Sequence, residues 1–338
     1  MKAIQIIRQG EARVIDIEKP RLKAGEVLVK LRYAGFCGSD LNTFLGKNPM
    51  VAYPIIPGHE ISAGIVETGK DVPGIYTPGA ACTVHPYTSC GHCTSCRNGR
   101  PNACRTNQTL GVQRDGAMCE YLAVPWQKVI LVEGIPDKDI ALIEPMSVGF
   151  HAVARARVTD TDKVMVVGCG MVGLGAVIRA SIRGADVTAV DMDDRKLALA
   201  KRLGARHAVN AKAEDVHEAL QKITGGDGAD VVIEAAGTPA TYQLAISEAA
   251  FTGRVVYIGY AKNEIAFETR YFVMKELDIK GSRNALPEDF RAVISYLQQG
   301  ACPTGELISN VYPPEQAQEA LTTWQARQGE TFRILIAF

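Results

Sequence analysis

Four cysteines, Cys90, Cys93, Cys96 and Cys104, fall within fifteen residues in the spacing C-x2-C-x2-C-x7-C. Thiolates are soft ligands, and four on one short Gly- and Asn-containing loop can close a tetrahedron around Zn²⁺ with no position left for a substrate. The spacing therefore points to a structural zinc site. His92 is surplus to such a shell and is expected at the surface. A second set is scattered: Cys37 in Cys-Gly-Ser-Asp, His59 and Glu60 in Gly-His-Glu, and Glu144 in Glu-Pro. Thiolate, imidazole and carboxylate together can hold Zn²⁺ through three ligands while a fourth position stays open to water or substrate. Read singly, Cys37 is equally a small buried hydrophobe, His59 a satisfied core histidine and Glu144 an acid at a helix start.

A third constellation is Gly168-Cys169-Gly170-Met171-Val172-Gly173, between an apolar strand candidate and a helix-like stretch. In this position the glycines permit a tight turn, close approach of backbone to a pyrophosphate, and helix–strand packing. The helix start then offers its unpaired N–H groups to phosphate. Asp191 ends the next strand candidate 18 residues past Gly173, where a carboxylate can accept both ribose hydroxyls and repel a 2′-phosphate. This favours NAD over NADP. Arg195 could accommodate such a phosphate; beside Asp191 it is read as covering the adenine face.

These residues need a scaffold, and the pattern changes character near residue 150. Before it come short β-rich runs such as 27–31 and 61–66, separated by Gly, Pro and Asn turns, as in a small barrel-like β domain. From Lys163 onward, apolar strand candidates at 164–167, 186–190, 230–233 and 254–258 alternate with helix-like segments such as 195–203. Strand–helix alternation with continuous apolar strands implies a parallel sheet covered on both faces. After Gly281 the pattern turns irregular, and a closing strand at 332–337 is expected to return to the first domain.

The chain has 338 residues, and 37 Lys+Arg balance 37 Asp+Glu. Neutrality argues against a nucleic-acid groove or an anionic-membrane face. No apolar run approaches the roughly 18 residues of a spanning helix, and Met1-Lys2-Ala3 opens no signal peptide. A cytoplasmic chain with reduced thiols is the expectation, so the nine cysteines call for a reading other than disulfides. Cys169, Cys82, Cys119 and Cys302 are assigned no chemistry, and His151 is expected to be packed. His85, His207 and His217 show no partner in the sequence.

Taken in order, Cys-Gly-Ser-Asp, Gly-His-Glu, the four-cysteine lobe, Glu-Pro and G-x-G-x-x-G resemble the zinc-dependent medium-chain dehydrogenases over essentially the whole chain. The resemblance implies an α/β protein. A GroES-like β-rich catalytic domain would comprise 1–148 and 282–338, and a Rossmann doubly wound parallel sheet 149–281. It implies NAD and two zinc ions per chain, one catalytic and one structural. Cys37, His59 and Glu144 match catalytic-zinc positions, with Glu60 a ligand or an exchangeable neighbour; Ser39 would carry the hydroxyl proton outward. Asn42 stands where relatives often place a histidine, which leaves Asp40, Glu60 or water as terminal base. Gly168, Gly170, Met171, Val172, Gly173, Asp191, Arg195, Ile258, Ser282 and Arg283 would meet the cofactor. Arg283 could clamp a substrate carboxylate while Asn284 reads a hydroxyl. The segment 281–290 and the length resemble the hexonate branch, the L-galactonate and L-gulonate 5-dehydrogenases and the starvation-sensing dehydrogenase, beside the sorbitol branch. The expected substrate is a small sugar acid oxidised at C5 to fructuronate or tagaturonate, and the resemblance implies a homodimer or homotetramer paired through the 254–259 strand as a sheet edge. The rivals are a polyol or polyol-phosphate dehydrogenase and a non-catalytic NAD- and zinc-binding sensor.

Overall fold

The computed structural model describes residues 1–261 and 263–338. The chain forms two compact units, Met1–Glu144 with Val293–Phe338, and Pro145–Ala292. Among the described residues, no helix is long and apolar enough to cross a membrane.

Unit 1 contributes β1 (Lys2–Arg8), β2 (Glu11–Asp16), β3 (Glu26–Phe36), β4 (Glu60–Thr68), β5 (Ala81–Val84), β6 (Tyr121–Pro125) and β7 (Val129–Leu131). Unit 2 follows with β8 (Lys163–Val167), β9 (Asp186–Asp191), β10 (His207–Asn210), β11 (Ala229–Glu234), β12 (Ala249–Tyr257) and β13 (Asp278–Gly281). The chain then returns to unit 1 with β14 (Asn310–Tyr312) and β15 (Ile334–Ala337).

In unit 1, β1 and β2 form a hairpin. A larger sheet runs β14-β15-β3-β4-β5-β7, with β6 also paired to β3. The β-branched and leucine side chains of β3 and β4, Val27, Val29, Leu31, Ile61 and Ile65, bury against Cys82, Val84 and Val129 from β5 and β7. Ala34 and Phe36 instead join Ile334 and Ile336 of β15 and Leu321 and Trp324 from the helix Ala317–Ala326. The antiparallel pairing of β15 with β3, Ile334 opposite Phe36, sets the residue before β15 beside the end of β3. The pairing of β3 with β4 sets Gly35 opposite Glu60.

Unit 2 is one parallel sheet in the order β10-β9-β8-β11-β12-β13. Valine-rich strands suit it because both faces are covered, and Met165, Val167, Val190, Val232 and Val255 are all buried. The strand order reverses between β8 and β11, which opens a crevice at the carboxyl ends of the strands. The sheet edge differs from the sequence expectation at 254–259. That segment belongs mostly to β12, which is covered by β13, so the edge is Asp278–Gly281. With only four residues, two of them charged, β13 lacks the apolar run that marks the other strands; edge strands are commonly short and charged. Beyond Gly281 the chain is also less irregular than its pattern suggests, with helices at Pro287–Leu297 and Ala317–Ala326.

Candidate functional site

Unit 1 gathers Cys37, His59 and Glu60, one ligand atom from each lying within 4.8 Å of the others. Cys37 precedes the short helix Gly38–Phe44, and its N–H donates to Asp40 Oδ2 at 2.8 Å. The other Asp40 oxygen accepts from Gly58 N at 3.4 Å. One buried carboxylate thus ties the Cys37 turn to the residue before His59 and has both oxygens committed. Ser39 Oγ, one residue away, is buried without a hydrogen-bond partner.

His59 and Glu60 are 5% and 0% exposed, and His59 Nδ1 and both Glu60 oxygens have no hydrogen bond. Orphaned buried acceptors beside a half-buried thiol are costly in an apolar setting. Sulfur, nitrogen and oxygen donors so converged suit Zn²⁺, which takes them at about 2.0–2.3 Å. Burial opposes charge on these groups, yet His59 and then Arg333 bring the Cys37 thiol below its ordinary value. Burial likewise opposes charge on His59, but Cys37, Asp40 and Glu144 raise the imidazole well above its usual range. Glu60 is pushed well up by burial, with Arg333 the main opposing charge.

Arg333 gave no signal in the sequence. It is 4% exposed, its Nη1 donates to Phe36 O at 2.9 Å, and its Nε lies 3.1 Å from Glu60 Oε2. That contact is an ion pair without hydrogen-bond alignment. Removing the guanidinium would leave a buried, uncompensated carboxylate. Tyr87 also went unread: it is buried, and its hydroxyl donates to Glu144 Oε1 at the start of the helix Ile143–Ala156. Of the two carboxylates nominated beside Cys37 and His59, Glu60 stands in the three-residue group, and Glu144 is engaged by a phenol within electrostatic reach of His59 and Glu60.

The four lobe cysteines are free thiols with Sγ separations of 3.5 Å (Cys93–Cys96), 3.6 Å (Cys90–Cys104) and 3.8 Å (Cys93–Cys104). A tetrahedron with Zn–S bonds of about 2.3 Å has edges of about 3.8 Å, so the thiols fit that ion. Backbone N–H groups of Cys90 and Cys93 point at Cys104 and Cys90 sulfurs at 3.3 Å. The Ser95 hydroxyl and neighbouring N–H groups pull Cys93 down to about 5, while burial and Cys93 itself push Cys96 up to about 11. His92 is exposed, with its Nδ1 2.8 Å from Cys90 O.

In unit 2 the glycine run joins β8 to the helix Met171–Ile182, with Gly170 at its N-cap. Nothing stands within 4 Å of where a Gly170 side chain would be, so the helix N-terminus is open to a phosphate. Met171 is buried and Val172 half-buried. Gly173 is the packing glycine: a β-carbon there would lie 1.8 Å from Gly168 O. Gly173→Ala should therefore cost about 3 kcal/mol or more, because backbone must shift to admit the methyl group. Thermal melting and NAD⁺ titration would show the loss together.

Asp191 ends β9. Its Oδ2 accepts from Cys169 N at 2.7 Å, and its Oδ1 accepts from Met192 N at 2.7 Å and Asp193 N at 3.0 Å. Three backbone donors thus fix the carboxylate at the carboxyl end of the sheet. Arg195 turns back on the N-cap Asp193, Nη2 to Oδ2 at 3.0 Å, and is exposed. Ile258 and Ser282 follow β12 and β13; Ile258 N donates to Glu234 O at 2.9 Å and Ser282 N to Tyr257 O at 2.8 Å. Ser282 Oγ is buried without a partner. Arg283 is half-buried, and Asn284 takes a left-handed φ of 54°, which asparagine tolerates. The turn they occupy is held by Asp289, whose Oδ2 accepts from Leu286 N at 2.9 Å and lies 2.8 Å from His151 Nδ1.

The remaining thiols are buried or partnered. Burial pushes Cys82 and Cys119 up to about 12 and Cys302, beside Tyr296, to about 11; Cys169 is raised further. His217 sits 2.9 Å from Glu248 and His207 3.3 Å from Asp186.

Comparison with known proteins places these features. Residues 23–136 match the alcohol dehydrogenase GroES-like domain, and residues 171–299 match the zinc-binding dehydrogenase domain. The chain is 36% identical to the L-galactonate-5-dehydrogenase of Escherichia coli (strain K12) over 85% of its own length and 84% of the relative's. It is 32% identical to the sorbitol dehydrogenase of Bacillus subtilis (strain 168) over 99% of this chain and 97% of the other. The crystal structure of the RspB alcohol dehydrogenase from E. coli CFT073, complexed with NADH, superposes with a TM-score of 0.91 at 30% identity, covering 100% of this chain and 99% of that one.

Proposed function

The chain belongs to the zinc-dependent medium-chain dehydrogenases, NAD-binding oxidoreductases with a GroES-like domain, and from that premise we propose that it oxidises a hexonate at C5. The substrate is L-gulonate or L-galactonate, NAD⁺ is the hydride acceptor, and the product is a keto-uronate, fructuronate or tagaturonate. The observation that carries this reading is the 36% identity to L-galactonate-5-dehydrogenase.

Cys37, His59 and Glu60 would hold one zinc ion and the four lobe cysteines a second. At the first site zinc supplies Lewis-acid polarisation of the substrate hydroxyl. Ser39 Oγ would accept the hydroxyl proton as it passes its own to water, the remaining terminal acceptor because Asn42 cannot titrate and Asp40 is committed to two backbone donors. Bound NAD⁺ would supply the hydride acceptor, so that the alcohol would become a carbonyl with NADH and one proton released. Glu144, steadied by Tyr87, accepts from a second substrate hydroxyl. Gly168, Gly170, Met171, Val172 and Gly173 would hold the pyrophosphate of NAD, Asp191 its ribose and Arg195 its adenine, with Ile258 and Ser282 toward the nicotinamide; Arg283 and Asn284 would offer the substrate a guanidinium and an amide. Free thiols throughout suit a reducing compartment, the cytoplasm. Self-association as a dimer or tetramer would use the β13 edge, where Ile279 is exposed.

A panel of hexonates, sorbitol and threonine with NAD⁺ and NADP⁺ tests the reading. NADH formation with hexonates is expected. Strong turnover of sorbitol or threonine with none on hexonates would overturn it.

A further inference from the structure

We propose that Lys128 and Arg114, with His85, form an anion subsite in unit 1 that receives the charged end group of the substrate. The proposal rests on the reading of an anionic, polyhydroxylated substrate and assigns its recognition to residues that no sequence motif marks.

Lys128 directly precedes β7. Its Nζ donates to Tyr87 O at 2.6 Å and lies 3.5 Å from His85 Nδ1. The His85 ring stands edge-on to Tyr87, with centroids 5.0 Å apart and planes at 88°. An ammonium carries three N–H groups, so Lys128 keeps a donor beyond these two contacts.

Arg114 stands on the adjoining loop 109–116, which is fastened on two sides. Leu110 N donates to Pro86 O at 3.1 Å, and Thr109 bridges Tyr87. At the other end Gly116 N donates to Ile56 O at 2.7 Å and Ala117 N to Gly58 O at 2.9 Å. A β-carbon at position 116 would lie 2.4 Å from Gly58 O, so glycine is what lets the loop approach the residue before His59.

Among the described residues, neither cation has a carboxylate in contact. Burial lowers both pKa values, and the other charge acting on Lys128 is Arg114, which lowers it further. Lys128 is half-buried and Arg114 exposed, and two cations on adjoining segments repel each other unless an anion joins them. Sequences depart from local consistency in this way mainly at functional sites. Tyr87 links Lys128 to Glu144, the carboxylate within electrostatic reach of His59 and Glu60, because its carbonyl holds Lys128 while its hydroxyl holds Glu144. One tyrosine therefore spans the distance between the anion and the reacting end. A carboxylate and a phosphate ester offer the same recognition, oxygen acceptors bearing negative charge.

The test compares L-gulonate with sorbitol, its neutral polyol of the same carbon skeleton, and with sorbitol 6-phosphate. In Lys128→Met and Arg114→Gln, the ratio of kcat/KM for acid over polyol should fall about tenfold, mainly through KM, the scale of one charge-assisted contact. Lys128→Arg should retain most of the ratio, which separates charge recognition from a folding defect. An unchanged ratio in both neutralised variants, or its collapse in Arg283→Met alone, would overturn the proposal. A wild-type enzyme that prefers sorbitol 6-phosphate, with that preference lost in Lys128→Met, identifies the anion as phosphate. If the wild type oxidises only neutral polyols, the hexonate reading fails separately. Inorganic phosphate and L-gulonate then serve as inhibitors of sorbitol oxidation: inhibition weakened in Lys128→Met supports the subsite, and absence of inhibition in the wild type overturns it.

Discussion

His59→Ala should lower kcat/KM for alcohol oxidation by about a thousandfold or more, with the zinc content reduced by one ion per chain. Lewis-acid stabilisation contributes several kcal/mol, and each 1.36 kcal/mol is a factor of ten in rate. His59 offers a buried ring nitrogen with no protein hydrogen bond, and its backbone is fixed through Gly58 to Asp40. Alanine would remove the ligand while that backbone anchor remains. NAD⁺ binding, measured by fluorescence titration, should be retained, because the glycine turn and Asp191 lie in unit 2. The same assay ranks the two carboxylates. Glu60→Gln should lower zinc content, whereas Glu144→Gln should keep zinc and raise KM, as its carboxylate is engaged by Tyr87 outside the three-ligand group. Full activity in His59→Ala would remove the site from catalysis.

The second large effect concerns the cysteine lobe. Residues 90–104 contain two single turns, Thr94–Arg97 and Pro101–Ala103, and bury only Asn102 and Cys104. With so little apolar burial, the lobe depends on its four sulfurs. Structural zinc supplies on the order of 10 kcal/mol in small domains that are unfolded without it. Cys93→Ser should therefore release one zinc ion per chain and expose the lobe to trypsin at Arg97 and Arg105, both exposed. Cleavage should accelerate by about a hundredfold or more, the effect of losing roughly 3 kcal/mol of local stability. Metal analysis with timed proteolysis checks both effects, and an unchanged zinc content with intact protection would show that the lobe needs no ion.

Much of the scaffold was legible because its signals are local. The runs at 164–167, 186–190 and 230–233 mark β8, β9 and β11 through continuous burial of apolar side chains. Residues 254–258 marked only the end of β12, whose first half carries exposed Phe251 and Thr252. β13 was missed because a four-residue edge needs no apolar run.

The sequence by itself determined which residues had chemistry to offer and where local geometry was obligatory. Four thiols within fifteen residues cannot be far apart, and three glycines between a strand and a helix specify a turn whatever surrounds them. Tertiary structure alone decided the company those residues keep. Glu60 and Arg333 meet because β15 returns to pair with β3, which also pairs with β4. Tyr87 meets Glu144, and Arg114 is fastened between the segments that carry Tyr87 and His59, through backbone hydrogen bonds that no side-chain spacing encodes. Electrostatics depends on distance through the fold rather than along the chain. A neutral total of 37 cations and 37 anions therefore concealed both a buried arginine beside a candidate ligand and two cations without a carboxylate contact among the described residues.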